Sequence, residues 1–247
     1  VAMPTETVYG LAANLFDEWA LARVFSVKER PRFDPLICHI ASSERRAGQG
    51  WLERLAEMGL IDGEAAQEGR YTDAEKLAER FWPGPLTLVL PKASGVSDLA
   101  TSGLSTLAVR SPRHEAAQAL LKAAGVPLCA PSANRFGRIS PTSAEDVLEE
   151  LGDRIEWILD GGACPVGLES TVVGFEEAPV ILRRGAATQE EIASVLGRPI
   201  EHRRLGEMGS GRFAAPGMLA SHYAPRKKLF LISRPISRLT ATDLAKV

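Results

Sequence analysis

Short apolar runs alternate along this chain with stretches of helical texture. Residues 35–40 read as an apolar strand and residues 86–90 as another. Further strands are expected at 106–110, 127–130, 155–159, 170–174 and 180–183, and helices at 72–82, 114–124, 142–151 and 188–196. Three of these helices open with a threonine followed three residues later by glutamate: Thr72 and Glu75, Thr142 and Glu145, Thr188 and Glu191. Such pairs predict capping boxes, in which hydroxyl and carboxylate satisfy the free amides of the first turn. Residues 42–71 are polar and alanine-rich, and read as a loosely helical surface covering. Alternation of this kind predicts a twisted, open, mixed sheet flanked by helices.

The ends have a different texture. Val1, Ala2 and Met3 look like the tail of a strand, and 227–232 look like a strand without partners, so the chain reads as a fragment cut at both ends. Residues 1–202 are expected to form one domain, 203–225 a linker rich in Gly, Arg, Pro and Met, and 226–247 the beginning of a second small α/β domain.

Composition narrows the function classes. With 247 residues and 45% hydrophobic content the chain can bury a full core, and 29 basic against 31 acidic residues give a net charge of −2. A protein that coats nucleic acid through its overall field would carry a basic excess. Cys38, Cys129 and Cys164 have no zinc or redox spacing and read as buried free thiols, which points to a cytoplasmic location. No apolar run reaches the ~20 residues of a membrane helix.

The common glycine-rich phosphate loops and the spaced Cys/His metal sets are missing. Polar clusters at strand ends remain. Pro4 to Gly10 follows the first strand, with Thr5 and Thr7 able to bond a small polar ligand and Gly10 allowing close backbone approach; a threonine-capped turn is the other reading. Lys28 and Arg30 can converge on one anion or simply end a helix. Residues 130–142 bring Ser132, Asn134, Ser140 and Thr142 to a loop after a buried strand, where ligands of open α/β sheets gather. Residues 167–171 form a fourth cluster, and Arg183 and Arg184 before Gly185 a fifth; Arg110 closes another strand. His39, between Cys38 and Ile40, reads on its own as a satisfied core histidine before a ligand-binding one. Several basic and hydroxyl clusters at strand ends favour an anionic ligand.

Taken in order, PTETVYGLAAN, KERPRFDPLICHI, FWPGPLTLVLP, APSANRFGRISPT, GLESTVV and ILRRG resemble the YrdC-like threonylcarbamoyl-AMP synthases over nearly all of residues 1–200. The run APGMLASHYAP resembles the linker of that family's two-domain form. The resemblance implies that L-threonine, bicarbonate and ATP give threonylcarbamoyl-adenylate and pyrophosphate, with Mg2+ helping on the triphosphate. It implies that the product passes to the transferase forming N6-threonylcarbamoyladenosine in tRNA, with at most weak tRNA contact. Carried over by position, Thr7 and His39 contact threonine, with Arg110 and Ser170 on the same side. The same resemblance implies that Lys28 and Arg30 are the catalytic basic pair at bicarbonate and phosphates, that Asp34, Thr106, Ser132, Asn134, Ser140 and Arg183 lie on the nucleotide side, and that Tyr223 folds over the nucleotide. Asp34 stands where the family usually has asparagine, Arg184 occupies a frequent proline position, and residues 48–71 are longer than in many relatives. An RNA-binding module of the same fold without turnover is the rival expectation.

Overall fold

The structure, a computed structural model, describes residues 1–31 and 33–203. Its strands are β1 (Ala2–Met3), β2 (Gly10–Leu11), β3 (Ala13–Asn14), β4 (Ile37–His39), β5 (Leu86–Pro91), β6 (Thr106–Arg110), β7 (Leu128–Cys129), β8 (Thr171–Phe175), β9 (Pro179–Arg183) and β10 (Glu201–His202). Its α-helices are α1 (Glu18–Lys28), α2 (Trp51–Glu57), α3 (Thr72–Phe81), α4 (Asp98–Thr101), α5 (Glu115–Ala124), α6 (Ala144–Leu151) and α7 (Gln189–Leu196). Eight strands form one mixed sheet in the order β10-β9-β8-β5-β6-β4-β7-β3, and β1 pairs with β2 in a separate ribbon. The mixed α/β expectation is met. Almost all of the expected linker 203–225, with Tyr223, and all of 226–247 lie outside the described residues.

Strand direction decides which side chains share an edge of the sheet. β4 and β6 are parallel, β5 runs against β6, β8 runs with β5, and β9 runs against β8. Hence β4, β6 and β9 point the same way, and their carboxyl ends carry His39, Arg110 and Arg183 to one edge of the sheet. The starts of β5 and β8 bring Gly84 and residues 169–170 to that same edge.

The main core lies under the helices of one face. Leu88, Leu90, Leu107 and Val109 from the central strands pack with Leu77 and Phe81 of α3, all buried. Each fully buried leucine contributes roughly 1.5–3 kcal/mol. Residues 42–71 are not mere covering: Trp51, Leu52 and Leu55 at helical spacing, with Leu60, Ile61 and Tyr71, enter this core. Trp51 meets Trp82 edge-on at 5.3 Å, and the Arg45 guanidinium covers the same ring at 5.3 Å.

Two capping expectations shift. Thr72 is the first residue of α3 rather than its cap, and Glu75 reaches across to accept hydrogen bonds from Trp51 N (2.7 Å) and Leu52 N (2.8 Å), capping α2 instead. In α6 the box is Ser143 with Asp146, one position beyond the expected pair. In α7 the box of Thr188 and Glu191 forms as expected. Residues 155–159 make no strand. Ile158 forms a single bridge to Ala2, because the two-residue β1 offers too short an edge to extend a ladder. α1, absent from the sequence reading, is capped by Asp17, whose Oδ1 accepts from Trp19 N and Ala20 N.

Candidate active site

At the sheet edge defined by the ends of β4, β6 and β9 lies a cleft with about 470 Å3 of empty space including its mouth. Its lining includes Thr7, Arg30, His39, Arg110, Ser132, Glu169 and Arg183.

At one end, Arg110 is held from three elements. Its Nε donates to Gly84 O (3.1 Å) and its Nη1 to Thr7 Oγ1 (2.8 Å), while Nη2 stands 2.7 Å from Glu6 Oε2. Thr7 is itself fixed, for Thr5 Oγ1 lies 2.9 Å from its hydroxyl and accepts from its amide. His39 is the register partner of Arg110 on the neighbouring strand, and its Nδ1 lies 3.0 Å from Ile37 O. Burial, reinforced by the Arg110 charge, lowers its pKa from 6.5 to about 3, so the ring is neutral at physiological pH. His39 is thus both a core histidine and a lining residue.

At the other end, Arg183 donates to Ser170 O from Nε (3.1 Å) and Nη2 (2.9 Å), and to Ser170 Oγ (3.0 Å). Its Nη2 is 3.6 Å from Glu169 Oε2, and Glu169 accepts from Ser140 Oγ at 2.8 Å. Between the ends, Arg30 pairs with Asp34 at 2.8 Å and donates to Asp34 O and Pro35 O. The departure at Asp34 therefore supplies a counter-charge to Arg30, and both side chains are buried. Every arginine on the lining has a carboxylate beside it, so the positive field is weaker than a count of basic residues suggests.

Lys28, Asp34, Thr106, Asn134, Ser140 and Ser170 are off the cleft lining. Lys28 is 1% exposed and does not line the cleft; its Nζ is bound by the carbonyls of Ser132 and Asn134, fastening the 130–137 loop to the end of α1. Burial, with Arg30 adding, pushes its pKa well down. Thr106 begins β6 while Arg110 ends it, so the strand's length separates it from the cleft. Ser170 is fully buried and off the lining, its hydroxyl 2.8 Å from Thr87 Oγ1 and accepting from Arg183 Nη2 at 3.0 Å. Asn134 lies under the loop: its Nδ2 donates to Arg135 O (2.7 Å) and Arg138 O (2.9 Å), and its Oδ1 receives no hydrogen bond from the described residues. Thr7, Arg30, His39, Arg110, Ser132 and Arg183 are brought together, with Ser140 one hydrogen bond behind.

Glu6 and Glu169 are unassigned by sequence reasoning although both stand inside the motifs that carry the family resemblance; a carboxylate between two threonines gives no sign that it is buried. Close backbone approach is met at Gly10, where a Cβ would lie 3.0 Å from Ala130 Cβ. Gly185 is tighter still, a Cβ there falling 2.3 Å from Glu169 O.

Residues 1–185 match the Sua5/YciO/YrdC family model, described as telomere recombination. The chain belongs to the Sua5/YciO/YrdC family. Residues 187–246 match a second model, the C-terminal domain of threonylcarbamoyl-AMP synthase, found here after the first. Threonylcarbamoyl-AMP synthase of Pyrococcus abyssi is 47% identical over 95% of this chain and 64% of its own length; that of Bacillus subtilis is 41% identical over 93% and 62%. The crystal structure of P. abyssi Sua5 complexed with L-threonine superposes with a TM-score of 0.79 at 46% identity, covering 91% of this chain and 61% of that one. This family member therefore spans a little under two thirds of the length of these relatives. Among its described residues no helix is long and apolar enough to cross a membrane, and no three His, Cys, Asp or Glu side chains group as a metal site.

Proposed function

We propose that this protein synthesises L-threonylcarbamoyl-AMP from L-threonine, bicarbonate and ATP, releasing pyrophosphate, in the cytoplasm. The reading is supported above all by the common direction of β4, β6 and β9, which gathers His39, Arg110 and Arg183 into one cleft with Thr7, Arg30 and Ser132. The relatives named for this activity support it independently.

The reaction needs the threonine amine to join bicarbonate as a carbamate, losing water, and a carbamate oxygen to attack the α-phosphorus as pyrophosphate leaves. A carbamate is labile in water, so the gain comes from holding three reactants together and excluding solvent. Arg110 and Thr7 suit the amino-acid carboxylate, with neutral His39 beside them. Arg30, Arg183 and Ser132 suit the carbamate and phosphates, where fixed donors meet developing charge. Lys28 acts through the loop that presents Ser132. Mg2+ usually reaches such sites through one or two carboxylates plus phosphate oxygens. Glu169, the carboxylate on the lining, fits that need and would hold it; the ion would offset triphosphate charge. The product would pass to the transferase that modifies the tRNA adenosine.

The test is pyrophosphate release from ATP by the chain, with and without threonine and bicarbonate, repeated on the longer protein. Release that requires both is expected, and Arg30→Ala should abolish it while leaving the circular dichroism spectrum unchanged. Release indifferent to threonine would overturn the reading.

A further inference from the structure

Glu6 is 1% exposed, yet among the described residues neither carboxylate oxygen finds a hydrogen-bond donor. Among the described residues its ion-pair partner is Arg110, whose Nη2 lies 2.7 Å away without hydrogen-bond geometry. An orphaned buried acceptor costs about 1–3 kcal/mol, and a buried ion pair is often no more stabilising than an apolar pair of the same shape. Stability alone therefore gives no reason for a carboxylate here. Geometry gives one. The Arg110 guanidinium is held at Nε by Gly84 and at Nη1 by Thr7, with Glu6 in ionic contact at Nη2, so its plane is set while Nη1 keeps a hydrogen for a ligand. Glu6 itself is not on the lining; Thr5, Thr7 and Arg110 are. Any effect of Glu6 on a ligand therefore travels through Arg110.

We propose that Glu6 is a positioning and specificity-determining residue for the amino-acid substrate. It fixes Arg110 and cancels its charge, so that this end of the cleft receives one carboxylate in one orientation and does not attract a multiply charged phosphate. This rests on the synthase reading of the cleft. Arg183 differs in facing its carboxylate at the longer distance of 3.6 Å.

The experiment compares the wild-type chain with Glu6→Gln, which keeps the shape and removes the charge. Threonine binding, measured directly by calorimetry, should weaken about tenfold in Glu6→Gln, with ATP binding unchanged. Inorganic phosphate should begin to compete with threonine in the variant and not in the wild type. A merely structural role would lower the melting temperature and leave the threonine and ATP affinities in their wild-type ratio. Glu6→Asp, which keeps the charge but withdraws it by one methylene, should recover part of the loss, and it serves as the test if Glu6→Gln does not fold. Equal threonine affinity in wild type and variants overturns the inference. A wild type that binds threonine but releases no pyrophosphate overturns only the synthase reading.

Discussion

The two ends of the cleft each place an arginine at the close of a strand beside a carboxylate, and they differ in how tightly the pair is made. Arg110 and Glu6 are 2.7 Å apart with side chains 4% and 2% exposed; Arg183 and Glu169 are 3.6 Å apart with side chains 9% and 19% exposed. The first pair is locked into the protein interior. The second touches solvent and shares its carboxylate with Ser140. A buried pair offers one geometry and suits a small rigid group such as an amino-acid carboxylate. A looser pair can re-form around a triphosphate that arrives with its own counter-ion.

The contrast breaks most sharply at Arg110. Arg110→Ala leaves Glu6 buried and uncompensated, which should cost about 3–5 kcal/mol of stability in urea unfolding. A loss below about 1 kcal/mol would mean the tight end is not locked at all. His39 gives the next effect. The unfolded chain takes up a proton near pH 6.5 and the folded one only near 3, so stability present above pH 6.5 is lost as pH falls. On the order of 2 kcal/mol should be gone by about pH 4.5. His39→Gln lacks this component, and parallel pH profiles for the two proteins would contradict the burial argument. At the loose end, Arg183→Ala should cost about 1–2 kcal/mol, from its bonds to Ser170, while weakening nucleotide binding far more than threonine binding. The smallest effect is expected at Glu169→Gln, below about 1 kcal/mol in urea because the pair is long and part-exposed.

These residues also show how far the sequence could be read. The polar clusters at Thr7, Arg110, Ser132 and Arg183 were legible because each follows or closes an apolar run, and the ends of such runs are where a sheet meets solvent. That β4, β6 and β9 run the same way was not legible, since strand direction depends on contacts distant in sequence. That Lys28, Thr106 and Ser170 lie off the cleft lining was not legible for a related reason. A basic or hydroxyl side chain in a motif can equally face the ligand, fasten a loop or bracket another side chain. α1 escaped because its pattern is inverted at both ends. Trp19 near its start is 88% exposed and Lys28 at its close is 1% exposed, so polarity marks the wrong faces. Glu75 misled in the same way, since a glutamate three residues after a threonine resembles a cap of its own helix and here serves another.

Cys38 and Cys129, 91 positions apart by their numbering, are register partners on β4 and β7, and both are fully buried. A thiol beside each other's sulfur in a dry interior, with the Cys38 pKa pushed up by that contact and by burial, is chemically silent toward a bulky reagent while the sheet is closed. β4 delivers His39 and β7 delivers the Ser132 loop, so these sulfurs sit beneath the cleft. Their labelling rate would act as a clock, ticking once for each spontaneous opening of the cleft floor, and slowing by whatever factor a bound ligand holds that floor shut.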